Sequence, residues 1–120
     1  MGTRFAGAAV IVAGGTGGLG RAVSRAFLDE GAIVNVTYRA QDELDALARA
    51  AGADASRLAG YRADVTDATA VRRVVADIVA KHDRLDVLVN AVGGYAGDAK
   101  LWDVEDAVLE RMLALNLRSG

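Results

Sequence analysis

The chain contains no cysteine and no proline, only one histidine, and just 5% aromatic residues. Without cysteine there is no disulfide framework, thiol nucleophile or thiolate metal ligand. A single histidine, His82, cannot by itself build a zinc site. Long apolar runs are also missing. Ala8-Ala-Val-Ile-Val-Ala13 has the length of a strand, well short of the ~20 residues that span a bilayer. The first residues, Met1-Gly-Thr-Arg-Phe-Ala-Gly7, lack the apolar centre of a signal peptide. Nor is there an excess of charge: 14 Lys and Arg stand against 16 Asp and Glu, a net −2. That balance argues against nucleic acid or an anionic membrane as partner. A cytoplasmic chain with no nucleic-acid and no membrane partner is the expectation.

What is present is apolar residues (52%) and glycine (14 residues), with glycine gathered at 14–20 and 93–97. The 120 residues suffice for one small domain. No linker or internal repeat divides them, so residues 1–120 are expected to form a single nucleotide-binding domain.

Apolar periodicity alternates between the two regular spacings. Ala8–Ala13 reads as a strand buried on both faces. Leu19, Ala22, Val23, Ala26 and Phe27 then recur at helical spacing, ending at Gly31. Ile33–Tyr38 predicts a second strand, and Asp42–Ala51 a helix with acids in its first turn, stopped by Gly52. Leu58–Val65 predicts a third strand. Thr66 or Asp67 caps a helix burying Val71, Val74, Val75, Ile78 and Val79. Leu85–Asn90 is the fourth strand. Asp103 is the expected cap of a last helix carrying Val104, Val108, Leu109, Met112 and Leu115. This alternation predicts an α/β, Rossmann-type doubly wound parallel sheet of four strands in the order 3-2-1-4, with helices on both faces. The sheet is expected to be incomplete, with its fourth strand an unprotected edge.

Ligands in such sheets bind at the carboxyl ends of the strands, where the order reverses. The loop there is Gly14-Gly15-Thr16-Gly17-Gly18-Leu19-Gly20. It accommodates two fingerprints, Gly15-x-Gly17-x-x-Gly20 and Gly14-x-x-x-Gly18-x-Gly20. In both, absent side chains let a diphosphate approach the backbone, and the next helix offers free N–H groups and its positive dipole end. Gly14, Thr16, Gly17, Gly18, Leu19 and Gly20 are therefore candidate cofactor contacts. The simpler alternative is a glycine-rich turn. A kinase-type phosphate loop is excluded, because no Lys-Ser/Thr pair follows.

An NAD-binding sheet carries an acid at the end of its second strand, facing the ribose. Here Tyr38 stands there, followed by Arg39. A guanidinium suits a ribose 2′-phosphate, so NADP(H) is preferred and NAD(H) remains possible. The alternative leaves Arg39 solvated and gives the ribose to Asp42.

Four segments together resemble the short-chain dehydrogenase/reductase family across essentially the whole chain. The first is Gly14-x-x-x-Gly18-x-Gly20, with Ala13 in place of the family's threonine. The second is Asp64-Val65, at the expected end of the third strand. The third, Asn90-Ala91-Val92-Gly93, resembles the family's Asn-Asn-Ala-Gly but keeps only its first and last residues. The fourth is Asn116 in Leu115-Asn116-Leu117. The resemblance implies hydride transfer between NADP(H) and a small-molecule carbonyl or alcohol. It places Asp64 and Val65 beside the adenine, and Asn90, Ala91 and Gly93 beside the nicotinamide. It makes Asn116 a catalytic residue, and it implies a homo-oligomer, dimer or tetramer, built on the last helix. Read without the family, Asp64 caps a turn, Asn90 is a buried amide tying the strand to a neighbour, and Asn116 ends a helix.

The family also requires a tyrosine followed four residues later by a lysine that lowers its pKa. Tyr38, Tyr61 and Tyr95 are followed at that spacing by Asp42, Val65 and Ala99. Ser24, Ser56 and Ser119 are misplaced for the family's serine. The chain thus resembles the cofactor-binding N-terminal half of such an enzyme, truncated before a fifth strand, and is expected to be inactive alone. A non-catalytic dinucleotide-binding or redox-sensing module is the alternative, and an interaction fragment a third. Tyr95 is a candidate substrate contact or a surface loop residue. Trp102 is expected to pack as a staple before the last helix or to line a pocket, and His82 to sit solvated at a helix end.

Overall fold

A computed structural model describes residues 3–94, 96 and 99–120. Its elements run β1 (Ala9–Ala13), α1 (Gly18–Asp29), β2 (Ile33–Tyr38), α2 (Gln41–Ala51), β3 (Leu58–Arg62), α3 (Ala68–His82), β4 (Val87–Asn90) and α4 (Asp106–Leu113). A π-helical turn, Ala114–Arg118, extends α4. The four strands form one parallel sheet in the order β3-β2-β1-β4, as the alternation predicts.

The central strand is buried at every position because helices cover both faces. On one face Val10, Val12, Val34 and Val36 pack with Leu28 of α1 and Leu47 of α2. On the other, Ile11 meets Val74 and Ile78 of α3. Each such aliphatic side chain contributes roughly 1.5–3 kcal/mol by leaving water. Asn35 lies fully buried in mid-sheet and donates from Nδ2 to the Val10 carbonyl at 3.1 Å. Asp67 caps α3, accepting from the N–H groups of Thr69 and Ala70 at 3.0 and 3.3 Å.

Several expectations need correction. β3 ends at Arg62, so Asp64 and Val65 lie in the loop beyond it. β4 begins at Val87. Val79 is exposed, because only Val74 and Ile78 of α3 fall on the sheet-facing side. Asp103 does not cap the last helix: it lies in a separate 3-10 turn over residues 101–103, and Glu105 holds the N-cap position of α4 without a side-chain capping bond. Trp102 does not act as a staple: it is 79% exposed, and the Lys100 Nζ stands 5.5 Å from its ring centroid. His82 is half-buried rather than solvated, with Nε2 enclosed and without a hydrogen-bond partner among the described residues. Tyr95 lies outside the described residues. Among the described residues, no helix is long and apolar enough to cross a membrane, and no group of His, Cys, Asp and Glu is arranged to hold a metal.

Candidate functional site

A cleft of about 540 Å³ opens at the carboxyl ends of the strands. Its floor is the turn after β1, with Gly14, Thr16 and Gly17. The β2 side supplies Thr37, Tyr38, Arg39, Ala40 and Glu43, and the loop after β3 supplies Asp64, Val65 and Thr66. The far wall is Ala91 to Gly93 with Arg111, Ala114 and Leu115 from the last helix. Nine of the expected residues thus come together: Gly14, Thr16, Gly17, Tyr38, Arg39, Asp64, Val65, Ala91 and Gly93. Leu19, Gly20, Asn90 and Asn116 lie outside its lining, and Gly18 lines the groove that adjoins it between α1 and α2.

The turn is shaped by one left-handed residue and two close approaches. Gly14 has φ +71°, a left-handed conformation that glycine adopts without strain. A Cβ at Gly15 would run into the Val36 side chain, and one at Gly20 into the Gly14 carbonyl oxygen. These glycines let α1 pack down onto the strand ends. Gly18 differs: a Cβ there would meet nothing within 4 Å. The protein's own packing does not require that gap, which opens at the first turn of α1 where backbone N–H groups are free to bind an anion. Leu19 points outward, 70% exposed.

Two hydroxyls not singled out by the sequence hold the turn. The Gly14 N–H donates to Thr37 Oγ1 at 2.9 Å, and Ser24 Oγ donates to the Gly15 carbonyl at 2.9 Å. Both side chains are buried. Their signal was a polar residue inside an otherwise apolar strand or helix face.

At the β2 end, the Tyr38 hydroxyl donates to Gln41 Oε1 at 3.0 Å, and Arg62 Nη2 donates to the Arg39 carbonyl at 3.2 Å. The Arg39 guanidinium has no ion-pair partner among the described residues. Asp64 accepts from the Thr66 hydroxyl at 2.6 Å and from the Thr66 N–H at 2.9 Å. The hydroxyl bond, then the backbone bond, hold its carboxyl below the usual aspartate range, and the Arg39 charge adds in the same direction. Asp64 therefore caps its own turn while lining the cleft.

Asn90 is exposed and not a buried tie. Its Oδ1 accepts from the Val92 N–H at 3.1 Å and shapes the turn leaving β4. Asn116 reaches back from the last helix to the same loop. Its Oδ1 accepts from the Gly94 N–H, and its Nδ2 donates to the Gly94 and Met112 carbonyls, each at 3.0 Å. Partial burial, followed by the Asp77 charge, pushes the Tyr61 phenol above its usual value, the opposite of what a proton-transferring tyrosine needs.

Comparison with known proteins matches residues 8–120 to the short chain dehydrogenase family model. A short-chain dehydrogenase reductase of Arabidopsis thaliana is 36% identical over 120 residues, covering 99% of this chain and 45% of its own length. Among solved structures, a short-chain dehydrogenase/reductase from Burkholderia xenovorans superposes with TM-score 0.89 at 34% identity, covering 98% of this chain and 48% of that one. ElxO, solved with NADP bound, superposes with TM-score 0.86 at 28% identity, over 93% of this chain and 45% of that one. The chain spans less than half the length of each of these relatives.

Proposed function

The chain belongs to the short-chain dehydrogenase/reductase family, and from that premise we propose that it forms the cofactor half of an NADP(H)-dependent oxidoreductase acting on a small carbonyl or alcohol. The nicotinamide cofactor, when bound, would give the hydride to a carbonyl or take it from an alcohol. The residues here bind and orient it. The open first turn of α1 at Gly18 receives the diphosphate. Asp64 and Val65 border the adenine, and Ala91 and Gly93 line the end of the cleft beyond β4. Leu19, Gly20 and Asn90 shape the site from outside its lining. Asn116 fixes the loop over β4.

One observation carries the cofactor preference. At the end of β2 a guanidinium without an ion-pair partner among the described residues, Arg39, lines the cleft where an NAD-binding sheet would carry an acid. A guanidinium there pairs with a 2′-phosphate. Titrating the chain with NADPH and NADH tests this directly. NADPH is expected to bind more tightly, and Arg39→Ala to weaken NADPH by about tenfold or more while leaving NADH unchanged. Equal affinities with an indifferent Arg39→Ala variant would overturn the preference.

These 120 residues hold no Tyr-x-x-x-Lys pair. We therefore propose binding without efficient hydride transfer for this chain alone, and measurable carbonyl reduction by it would refute that. Assembly into a dimer or tetramer through the last helix belongs to the same proposal, with Leu109 54% exposed on α4.

A further inference from the structure

The cleft does not close against α2. At Thr16, Gly17 and Glu43 it runs on into a second groove of about 510 Å³ between α1 and α2. The first turn of α2 carries two adjacent acids, Asp42 and Glu43. Neighbouring helical residues point about 100° apart, so the two acids are not equivalently placed. Asp42 lines only the second groove, whereas Glu43 lines both and stands at their junction, beside Ala40 and Arg39. Like Arg39, Glu43 has no ion-pair partner among the described residues. Its side chain is exposed and free to act on a ligand.

We propose that Glu43 is a specificity-determining residue for the ribose end of the cofactor, acting against Arg39. This rests on the reading that the cleft takes a nicotinamide dinucleotide. A carboxylate accepts hydrogen bonds from both hydroxyls of a ribose diol. Opposite a 2′-phosphate it meets like charge and gains no hydrogen bond. Arg39 favours the phosphate and Glu43 the diol, so the two residues set a modest preference in place of an absolute one. Asp42, the acid that spacing alone offers to the ribose, faces away into the α1–α2 groove.

Equilibrium titration of the full chain with NADPH and with NADH, read by calorimetry, tests the assignment. Glu43→Gln keeps the shape and removes the charge. It is expected to raise the NADPH-to-NADH affinity ratio about tenfold, with NADPH tightening and NADH weakening. Asp42→Asn removes the same charge one residue earlier and is expected to leave the ratio unchanged. An unchanged ratio in Glu43→Gln overturns the inference. An equal shift in both variants also overturns it, since the effect would then be the general charge of the helix end. Loss of NADPH binding in Arg39→Ala with no response in Glu43→Gln would leave the cofactor reading standing and remove this one alone. A wild-type chain that binds neither nucleotide would overturn both.

Discussion

The Gly14 backbone N–H donates to the Thr37 side-chain oxygen at 2.9 Å, joining the turn after β1 to the last residues of β2. The bond spans the two strand ends that frame the cleft, and Thr37 is 5% exposed. Thr37→Val preserves shape but leaves the Gly14 N–H without its acceptor. The expected cost is about 1–3 kcal/mol of stability, measured by urea denaturation, with NADPH affinity falling alongside. Unchanged stability would mean that the turn holds its shape without this bond.

Two glycines of the same loop should respond in opposite ways. At Gly20 an added Cβ meets backbone atoms of Gly14 and Gly15, which cannot move without opening the turn. Gly20→Ala is expected to destabilise the fold by about 1–3 kcal/mol or more. At Gly18 the Cβ enters open space, with no positive φ to oppose it. Gly18→Ala should leave stability within about 1 kcal/mol of wild type. If the diphosphate occupies that space, the same change should still lower NADPH affinity by about tenfold or more. Thermal melts paired with titrations separate the two effects. Normal nucleotide binding by Gly18→Ala would move the diphosphate elsewhere.

The sheet was legible because its signal is local. Ala9–Ala13 is an apolar run followed at once by glycine, and Ile33–Tyr38 is a β-branched-rich segment two residues after Gly31; parallel strands buried on both faces have that pattern. The strand order followed from alternation and crossover handedness. The end of β3 and the start of β4 differ from the apolar pattern because Asp64 holds the turn beyond β3 while Asp86 accepts from the Ala9 N–H of the neighbouring strand and pairs with Arg84. The start of the last helix is not encoded locally, since Asp103 and Glu105 are both acids and the 3-10 turn alone sets which of them precedes α4. Within the site, glycine spacing pointed to the loop but not to what holds it. Thr37 and Ser24 act through partners 23 and 9 residues away, and no local spacing encodes such pairs. Glu43 and Asp42 look equivalent in the sequence, and helix rotation alone separates them.

Asp64 gives a pH-dependent prediction. Its folded-state carboxyl titrates below the unfolded value because the Thr66 hydroxyl and N–H bond to the ionised form. The stabilisation is thus fully present above the unfolded pKa, near 3.9, and is lost as pH falls through the lowered folded value. Between pH 5 and 8 the turn should not respond to Asp64 at all. Thr66→Val removes the hydroxyl donor and keeps the N–H, so the Asp64 pKa should move part of the way back up. Carboxyl carbon shifts followed by NMR from pH 2 to 6 would show it. An Asp64 titration that Thr66→Val leaves in place would mean that the hydroxyl bond is not the cause.

Asn116 tests whether the last helix positions the loop after β4. Its amide bonds to both backbone groups of Gly94 and to the Met112 carbonyl, so one side chain satisfies a loop and a helix turn together. A structural helix-end asparagine would bond only to its own helix. In Asn116→Ala, all three bonds go, and Gly94 amide hydrogen exchange should accelerate by about tenfold, the response to losing roughly 1.4 kcal/mol of local protection. In Asn116→Asp, the carboxylate still accepts from the Gly94 N–H but cannot donate to either carbonyl. Exchange at Gly94 should then stay close to wild type while stability falls slightly. The global unfolding free energy should change little in either variant, because Asn116 is exposed and lies far along the chain from the buried sheet. Equal exchange at Gly94 in wild type and Asn116→Ala would show that the loop holds its place without the last helix.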